Sequence, residues 1–216
     1  MHGTLSKPEW FPDWPGEVCA LIGSGPSANA AMVEHLKDRC RVLVINTSFR
    51  LAPWADALYA CDALWWQWYP EARDFAGLKI TQDAKAAKAH GLKHVKLVEE
   101  NAPDANRLIL NRPGIIGRGE NGGFQGLNLL LQFGVKTILM LGIDCRGARW
   151  HGAHLGRSMP QQRPQTLAGW ASIFDAQAPQ LKAWGVEVIN LSPVGALKAY
   201  SKLTIDLVLE RLAKRT

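Results

Sequence analysis

Apolar and polar positions are grouped along the chain in blocks that predict strands and helices in turn. Val18–Ile22 is a continuous apolar run of the buried-strand type, and residues 27–37 carry apolar side chains at helical spacing. Residues 41–46 form a second apolar run. A strand, a helix and a strand within about 30 residues make a βαβ unit, which predicts a parallel sheet.

The remaining blocks extend this pattern to the end of the chain. Short strands are expected at 56–62, 79–81, 94–98, 136–143 and 186–191, and helices at 63–69, 83–91, 124–133, 166–184 (broken near Pro179) and from 195 to 212. Residues 111–126 hold six glycines and predict a mobile loop. We predict an α/β fold with a Rossmann-like, mostly parallel sheet flanked by helices. It forms a single domain over 18–216, after an N-terminal arm over 1–17 that packs through Trp10, Phe11 and Trp14.

Composition narrows the class of protein. The chain has 216 residues, of which 47% are hydrophobic and 20% charged, values that suit one large globular domain. No apolar run reaches the roughly 18 residues that a membrane span needs, and the N-terminus lacks the basic and apolar regions of a signal peptide. The four cysteines form no CxxC pair, so we expect buried thiols in a reducing compartment, the cytoplasm.

Positive charge is concentrated in the second half of the chain. The net charge is +6, and residues 105–165 hold eight Lys or Arg against two acidic residues, Glu120 and Asp144. A local positive field attracts an anionic ligand, for which a nucleotide, a phosphorylated substrate and nucleic acid all qualify. The alternative is a solvated basic face.

A glycine-rich turn follows the first predicted strand. Gly23, Ser24, Gly25, Pro26 and Ser27 combine residues that permit positive φ and close backbone approach with a proline for the first helical turn and a capping serine. A helix that starts here would present free N–H groups to a phosphate, so the glycines and both serines are candidate ligand contacts. The turn lacks the third glycine of GxGxxG and the lysine of a P-loop, and a purely structural turn is the alternative.

Polar residues also follow other predicted strands. Asn46, Asp62, Asp144 and Asn190 each come after an apolar run, and ligands of parallel sheets bind at the carboxyl ends of strands. Each could instead be a turn or cap residue. Gly122-Gly123, before a predicted helix, is a further candidate contact for an anion or a ribose, with a flexible turn as the alternative.

The polar loop over 145–165 carries His151 and His154. A loop of about 20 residues is usually functional or disordered. No third ligand at zinc spacing is evident, so no metal is assigned. Either histidine, among arginines, can serve as a general acid or base, and a surface position is the alternative. The tryptophans of WWQW (65–68) predict a core or oligomer contact, with a stacking platform as the alternative.

The ordered motifs resemble a known family. LIGSGPS, INTSF, ACD, NGGFQGLNLLLQFGVKTILMLGIDC and GVEVINLSPVGAL, over residues 18–200, resemble the 6-hydroxymethylpterin diphosphokinase-like family of Rossmann-like proteins, which has many phage-encoded members. They are also similar to small bacterial sialyltransferases that use CMP-sialic acid.

The resemblance implies a nucleotide or nucleotide-sugar donor in the crevice. Asn46 matches a nucleotide contact of the sialyltransferases, whereas Ser24 stands where they have asparagine. Their catalytic histidine matches His151 or His154. The diphosphokinase-like group has aspartates that match Asp62 and Asp144, which would orient a hydroxyl or a divalent ion such as Mg²⁺.

These observations predict a nucleotide-dependent transferase of phosphoryl, diphosphoryl or glycosyl groups, with an unidentified acceptor. The predicted catalytic residues are His151, His154 and Asp144, with Arg149 or Arg157 neutralising charge on the leaving group. A homo-oligomer is compatible with this prediction. The alternative is a non-catalytic phage protein of the same fold that binds nucleic acid or a protein partner through its basic loop.

Overall fold

The computed structural model describes residues 6–152 and 162–214. The strands are β1 (Val18–Ile22), β2 (Arg41–Ile45), β3 (Ala57–Tyr59), β4 (Leu78–Thr81), β5 (Lys93–His94), β6 (Lys96–Leu97), β7 (Ile115–Ile116), β8 (Thr137–Leu141), β9 (Glu187–Asn190) and β10 (Ser201–Lys202). The α-helices are α1 (Ala30–Glu34), α2 (Ala63–Trp68), α3 (Ala84–His90), α4 (Gly122–Gln132), α5 (Pro164–Asp175), α6 (Ala178–Ala183) and α7 (Ile205–Ala213). Short 3₁₀ helices span Asn46–Arg50 and Pro70–Asp74.

The central sheet is parallel throughout its described strands. Eight of these strands lie in the order β10-β9-β8-β1-β2-β3-β4-β5, and every pairing between neighbours is parallel. The strand order reverses at β1, which lies between β2 and β8. β6 and β7 form a separate parallel pair. The predicted α/β class with its parallel sheet is confirmed.

Both faces of the sheet are buried, which explains the unbroken apolar runs. In β1, Cys19 and Leu21 belong to one hydrophobic cluster, whereas Ala20 and Ile22 belong to the cluster on the other face. Strands of parallel sheets covered by helices on both faces need apolar side chains at every position. This is why the sequence pattern located β1 end to end and β2 to within one residue.

Helix α4 packs closely on the sheet and holds the glycine-rich segment before it. A Cβ at Gly126 would lie 2.7 Å from Ile45 Cδ1, so glycine allows the helix to approach the strands. Asn128 Oδ1 accepts hydrogen bonds from the backbone N–H groups of Ile109 and Gly117, both at 2.9 Å. The segment predicted as a mobile loop over 111–126 therefore contains β7 and the first turns of α4, and is bonded to α4.

The N-terminal arm packs on the core as predicted. The rings of Phe11 and Trp14 lie edge-on to Phe133, with centroids 5.1 and 5.4 Å apart. The Trp14 N–H also donates to the Phe133 carbonyl at 2.8 Å. The division of the chain into arm and domain stays a prediction.

Several predicted element boundaries are wrong. Helix α1 begins at Ala30, not Ser27, because the Asn29 side chain caps it by accepting from Met32 N at 3.0 Å. The predicted strand over 94–98 is divided between β5 and β6. Residues 195–200 are not helical, because backbone N–H groups there bond to distant acceptors; Lys198 N donates to the Asp175 carboxylate at 3.0 Å.

None of the helices within residues 6–152 and 162–214 is both long and apolar enough to cross a membrane. The cytoplasmic location stays a prediction.

Candidate functional site

A cavity of about 340 Å³ opens at the carboxyl ends of β1, β2, β3 and β8. The strand order reverses between two of these strands, and open parallel sheets bind ligands at such a point. The loops after the strands, the N-terminus of α4 and the start of α5 line the cavity. The sequence-predicted residues that line it are Gly23, Ser24, Gly25, Asn46, Asp62, Gly122, Gly123, Asp144, Arg149 and His151. Ser27 does not line it, and His154 and Arg157 lie outside the described residues.

The glycines of the first turn are required by a neighbouring loop. Neither Gly23 nor Gly25 has a positive φ, so the left-handed backbone that glycine permits is not used there; Gly142, with φ +70°, adopts it. A Cβ at Gly23 would lie 2.5 Å from the Gly142 carbonyl oxygen, and a Cβ at Gly25 would overlap the Asp144 carboxylate. The glycines thus let the loops after β1 and β8 pack directly on each other.

The Asp144 carboxylate joins three loops at the edge of the sheet. It is 1% exposed, and its Oδ2 accepts from the backbone N–H and the hydroxyl of Ser27, both at 3.0 Å. Its Oδ1 accepts from the Ser192 hydroxyl in the loop after β9. Ser27 Oγ in turn accepts from Gly142 N at 3.0 Å. Ser27 and Asp144, predicted as ligand-binding and catalytic, are therefore engaged with each other.

Asn46 lies where β2 ends, in the left-handed backbone region with φ +51°. Asparagine tolerates this conformation better than most residues, because its short side chain can bond locally. The Asn46 amide nitrogen lies 3.9 Å from the position that a Gly122 Cβ would occupy. The fold thus brings together Asn46, predicted from the strand-end pattern, and the first turn of α4, predicted from the glycines before a helix.

The N-terminus of α4 is capped and points its first turn at the cavity. Asn121 Oδ1 accepts from Phe124 N at 2.9 Å, and the helix starts at Gly122, two residues earlier than the sequence predicted. A Cβ at Gly123 would lie 2.9 Å from Ile143 Cδ1, so glycine lets the helix end approach the loop after β8. Helix N-termini carry partial positive charge and favour anions.

Trp150 holds the described part of the loop after β8 against the glycine turn that follows β1. Its backbone N–H donates to the Ser24 carbonyl at 3.0 Å, and its indole N–H donates to Ser48 Oγ at 3.3 Å. Ser48 Oγ in turn donates to the Gly23 carbonyl at 2.8 Å. The His151 ring lies edge-on to Trp150, with centroids 5.2 Å apart. Sequence reasoning missed Trp150, although a large aromatic residue in a polar, glycine-rich loop was a usable signal.

The tryptophan cluster divides between core and cavity. Trp66 is fully buried, and its indole N–H donates to the Ala60 carbonyl at 3.1 Å. Trp65 and Trp68, by contrast, line the cavity. Asp62, the residue before α2, also lines it and makes no side-chain capping bond to that helix. The alternative interpretation of Asp62, in which its side chain caps the helix, is therefore not what the structure shows.

Among the acidic residues that the structure describes, Asp62 and Asp144 do not form a magnesium site. Among residues 6–152 and 162–214, no group of three or more His, Cys, Asp or Glu side chains is placed to hold a metal ion. Both Asp144 oxygens already accept hydrogen bonds, so Asp62 and Asp144 do not fit together as ligands of a hard cation.

The parallel sheet and the cavity at its reversal point define the class of fold as Rossmann-like α/β. No protein-family model and no curated protein sequence matches the chain. The resemblance to the diphosphokinase-like family therefore stays a prediction.

A solved glycosyltransferase shares the fold of this chain. The Maf glycosyltransferase from Magnetospirillum magneticum AMB-1 matches with a TM-score of 0.60 and 12% identity, over 98% of this chain and 38% of the Maf chain. The sialyltransferase CstII from Campylobacter jejuni, in complex with cytidine-5′-monophosphate, matches with a TM-score of 0.48 and 13% identity, over 88% of this chain and 86% of CstII. The chain thus spans well under half the length of the Maf structure, and identities this low show similarity of fold alone.

Proposed function

We propose that the chain is a nucleotide-dependent glycosyltransferase that binds its donor in the cavity at the carboxyl ends of the strands. The observation that carries this proposal is the convergence of Ser24, Asn46, Asp62 and the first turn of α4 on one cavity at the strand reversal. Its volume lies within the roughly 300–1,000 Å³ of small-molecule sites. The shared fold with the Maf glycosyltransferase, which spans nearly the whole chain, favours glycosyl transfer over the other predicted reactions.

The donor is held by backbone and small polar groups. The Ser24 hydroxyl contacts phosphate oxygens, and the α4 N-terminus adds its partial positive charge. The N–H groups of Gly23 and Gly25 do not take part, because they donate to the Leu141 and Gly142 carbonyls, both at 2.8 Å. Asn46, Gly122 and Gly123 contact the nucleoside. Asp144 and Ser27 do not contact ligand in this proposal. Their mutual hydrogen bonds hold the glycine turn in position.

The chemical step is displacement at the anomeric carbon of the donor sugar. An acceptor hydroxyl oriented by Asp62 gives its proton to His151, and its oxygen forms a bond to the anomeric carbon. The bond from that carbon to the phosphate oxygen breaks, and the electron pair leaves with the nucleotide. Arg149 stabilises the negative charge on the departing phosphate. His154 is the rival base, and Arg157 the rival cation.

A thermal-shift screen tests donor binding. Nucleoside monophosphates, nucleoside triphosphates and nucleotide sugars are each added to the full chain. A ligand at 100-fold over its Kd that binds only the folded state adds about 2.7 kcal/mol. For a chain of this size, that raises Tm by about 5–11 °C. If no nucleotide or nucleotide sugar raises Tm, the proposal is wrong.

The same screen separates the rival functions. A response to triphosphates but not to nucleotide sugars would point to phosphoryl or diphosphoryl transfer. DNA binding with a steep salt dependence, without any nucleotide response, would support the binding-module alternative.

Turnover is tested with the nucleotide sugar that gives the largest shift. Release of its nucleotide is measured for His151→Ala, His154→Ala and the control His35→Ala, an exposed histidine outside the cavity. We expect one of the first two variants to keep the thermal shift and lose release, while the control keeps both. Full release by both His151→Ala and His154→Ala would refute the acid/base role.

A further inference from the structure

Helix α5 carries an apolar stripe of which the protein core covers one half. Leu167, Trp170, Ala171 and Phe174 follow one another at the i, i+3, i+4 and i+7 spacing of a single helix face. Ala171 and Phe174 are buried in the hydrophobic cluster that also contains the apolar residues of α4. Leu167 and Trp170 are half-buried, belong to neither hydrophobic cluster of the described residues, and line the cavity. The N-terminal half of the stripe therefore faces the cavity and not the core.

Phe174 fixes this part of α5 beside the first turn of α4. A Cβ at Gly123 would lie 3.6 Å from Phe174 Cζ, and the rings of Phe174 and Phe124 have centroids 5.6 Å apart. Trp170 comes four residues before Phe174 in the same helix, about 6 Å back along the helix axis. Because Trp170 also lines the cavity, its indole borders the part of the cavity next to Gly122 and Gly123.

Two isoleucines and one amide flank the first turn of α4. Ile45 Cγ2 lies 3.0 Å from the position of a Gly122 Cβ, and Ile143 Cδ1 lies 2.9 Å from that of a Gly123 Cβ. Both isoleucines line the cavity, and so does Asn46, whose amide nitrogen lies 3.9 Å from the Gly122 Cβ position. Apolar walls with a hydrogen-bonding group beside them suit a nucleobase, which has two π-faces and a polar edge.

Trp170 differs from the other tryptophans among the described residues of the cavity. Trp65 is 3% exposed, and its ring packs against Trp66 and Tyr69, with centroids 5.1 Å away in both cases. Trp68 is half-buried but packs against the hydrophobic cluster on its side of the sheet. Trp170 is therefore the tryptophan whose accessible surface is available to a flat ligand in the cavity.

We propose that Trp170 is the platform on which the nucleobase of the donor stacks. The indole covers one face of the base, while Ile45 and Ile143 form the apolar walls beside it. The inference rests on the proposed function for the position of the nucleoside, and on the α5 stripe for the stacking surface. Every base has a π-face, so the platform increases affinity for nucleotides as a class and does not select one base over another.

Titration of the full chain with the four ribonucleoside 5′-monophosphates, and with ribose 5-phosphate in competition, tests the platform. Trp170→Ala should weaken nucleotide binding about 5- to 150-fold and ribose 5-phosphate binding less than about 2-fold, because the sugar phosphate has no base to stack. Trp170→Phe keeps an aromatic face and should stay within about 5-fold of wild type. Trp54→Ala removes a half-buried indole outside the cavity and should leave both ligands within about 2-fold.

The outcomes separate the platform from the proposed function. Wild-type nucleotide affinity in a folded Trp170→Ala variant, or an equal loss of nucleotide and ribose 5-phosphate binding, would overturn the platform and leave nucleotide binding intact. Nucleoside binding that Trp170→Ala abolishes, without nucleotide release from any nucleotide sugar, would support the platform and refute glycosyl transfer. If Trp170→Ala fails to fold, Trp170→Leu replaces it, since leucine keeps apolar bulk without a π-face, and the same losses are expected.

Discussion

Ser27→Ala separates two roles that the sequence alone does not distinguish. A serine after a glycine turn is typical of a phosphate contact, yet the Ser27 hydroxyl donates to the buried Asp144 carboxylate and accepts from Gly142 N, both at 3.0 Å. Alanine removes one oxygen and leaves the backbone in place. A structural hydroxyl predicts a loss of stability with little loss of ligand binding, and a phosphate contact predicts the reverse.

The size of the effect follows from the two bonds. Removing the hydroxyl deletes one hydrogen bond to a charged acceptor, worth about 1.5–3 kcal/mol. It also leaves the buried Gly142 N–H without its acceptor, at about 1–3 kcal/mol. Because the two bonds share one oxygen and the loops can relax, we expect a total of about 2–4 kcal/mol rather than the full sum. In a chain of this length, that lowers Tm by about 4–16 °C.

Urea denaturation of wild type, Ser27→Ala and the control Ser24→Ala measures this prediction. Ser24 Oγ has a single long contact of 3.4 Å with Ser48 Oγ, so its removal should cost less than about 1 kcal/mol. Pyrophosphate binding is followed in the same variants. We expect Ser27→Ala to lose stability and Ser24→Ala to lose binding. A Ser27→Ala variant that is as stable as wild type would show that the hydrogen bond between Ser27 and Asp144 does not stabilise the loops around the site.

Three further predictions concern the loops and the buried thiols. Trp150→Phe removes the indole N–H that donates to Ser48 Oγ. We expect faster amide hydrogen exchange over 145–152 and a loss of stability below about 1 kcal/mol. Unchanged exchange would show that Trp150 does not hold this loop in place. Asn128→Ala leaves two buried backbone N–H groups without an acceptor and should cost about 3 kcal/mol or more in urea denaturation, whereas a cost below about 1 kcal/mol would show that the segment over 105–118 finds other partners. Burial raises the pKa of Cys40 and of Cys145 from 9.0 to about 12, so in the unfolded chain these thiols ionise at a lower pH than in the folded one. The free energy of unfolding should therefore fall as pH rises from about 9 toward 12, less steeply in a Cys40→Ala variant; a flat profile across that range would refute the linkage.

The parts of the fold that the sequence predicted are those in which one physical requirement decides the residue type. β1 and β8 are buried on both faces, so nearly every position is apolar and the run is visible without an alignment. The strand-end rule likewise brought Asn46, Asp62 and Asp144 to one cavity, because parallel strands share their carboxyl edge.

Local signals were insufficient where a distant residue supplied the partner. Ser27 was predicted to cap a helix, but its hydroxyl bonds to a carboxylate 117 positions further along the chain. The segment over 195–200 has helical composition, but Asp175 and Asp144 take its backbone N–H groups.

The glycine turn shows that a sequence motif typical of phosphate binding does not by itself establish a phosphate-binding site. Gly25 is required because a Cβ there would overlap the Asp144 carboxylate, a requirement that exists whether or not a ligand ever binds. A phosphate-loop pattern can therefore persist for packing alone, and its glycines carry no information about the ligand. Gly25→Ala should accordingly destabilise the fold with or without ligand, whereas Arg149→Gln should weaken binding more than it changes stability in the absence of ligand.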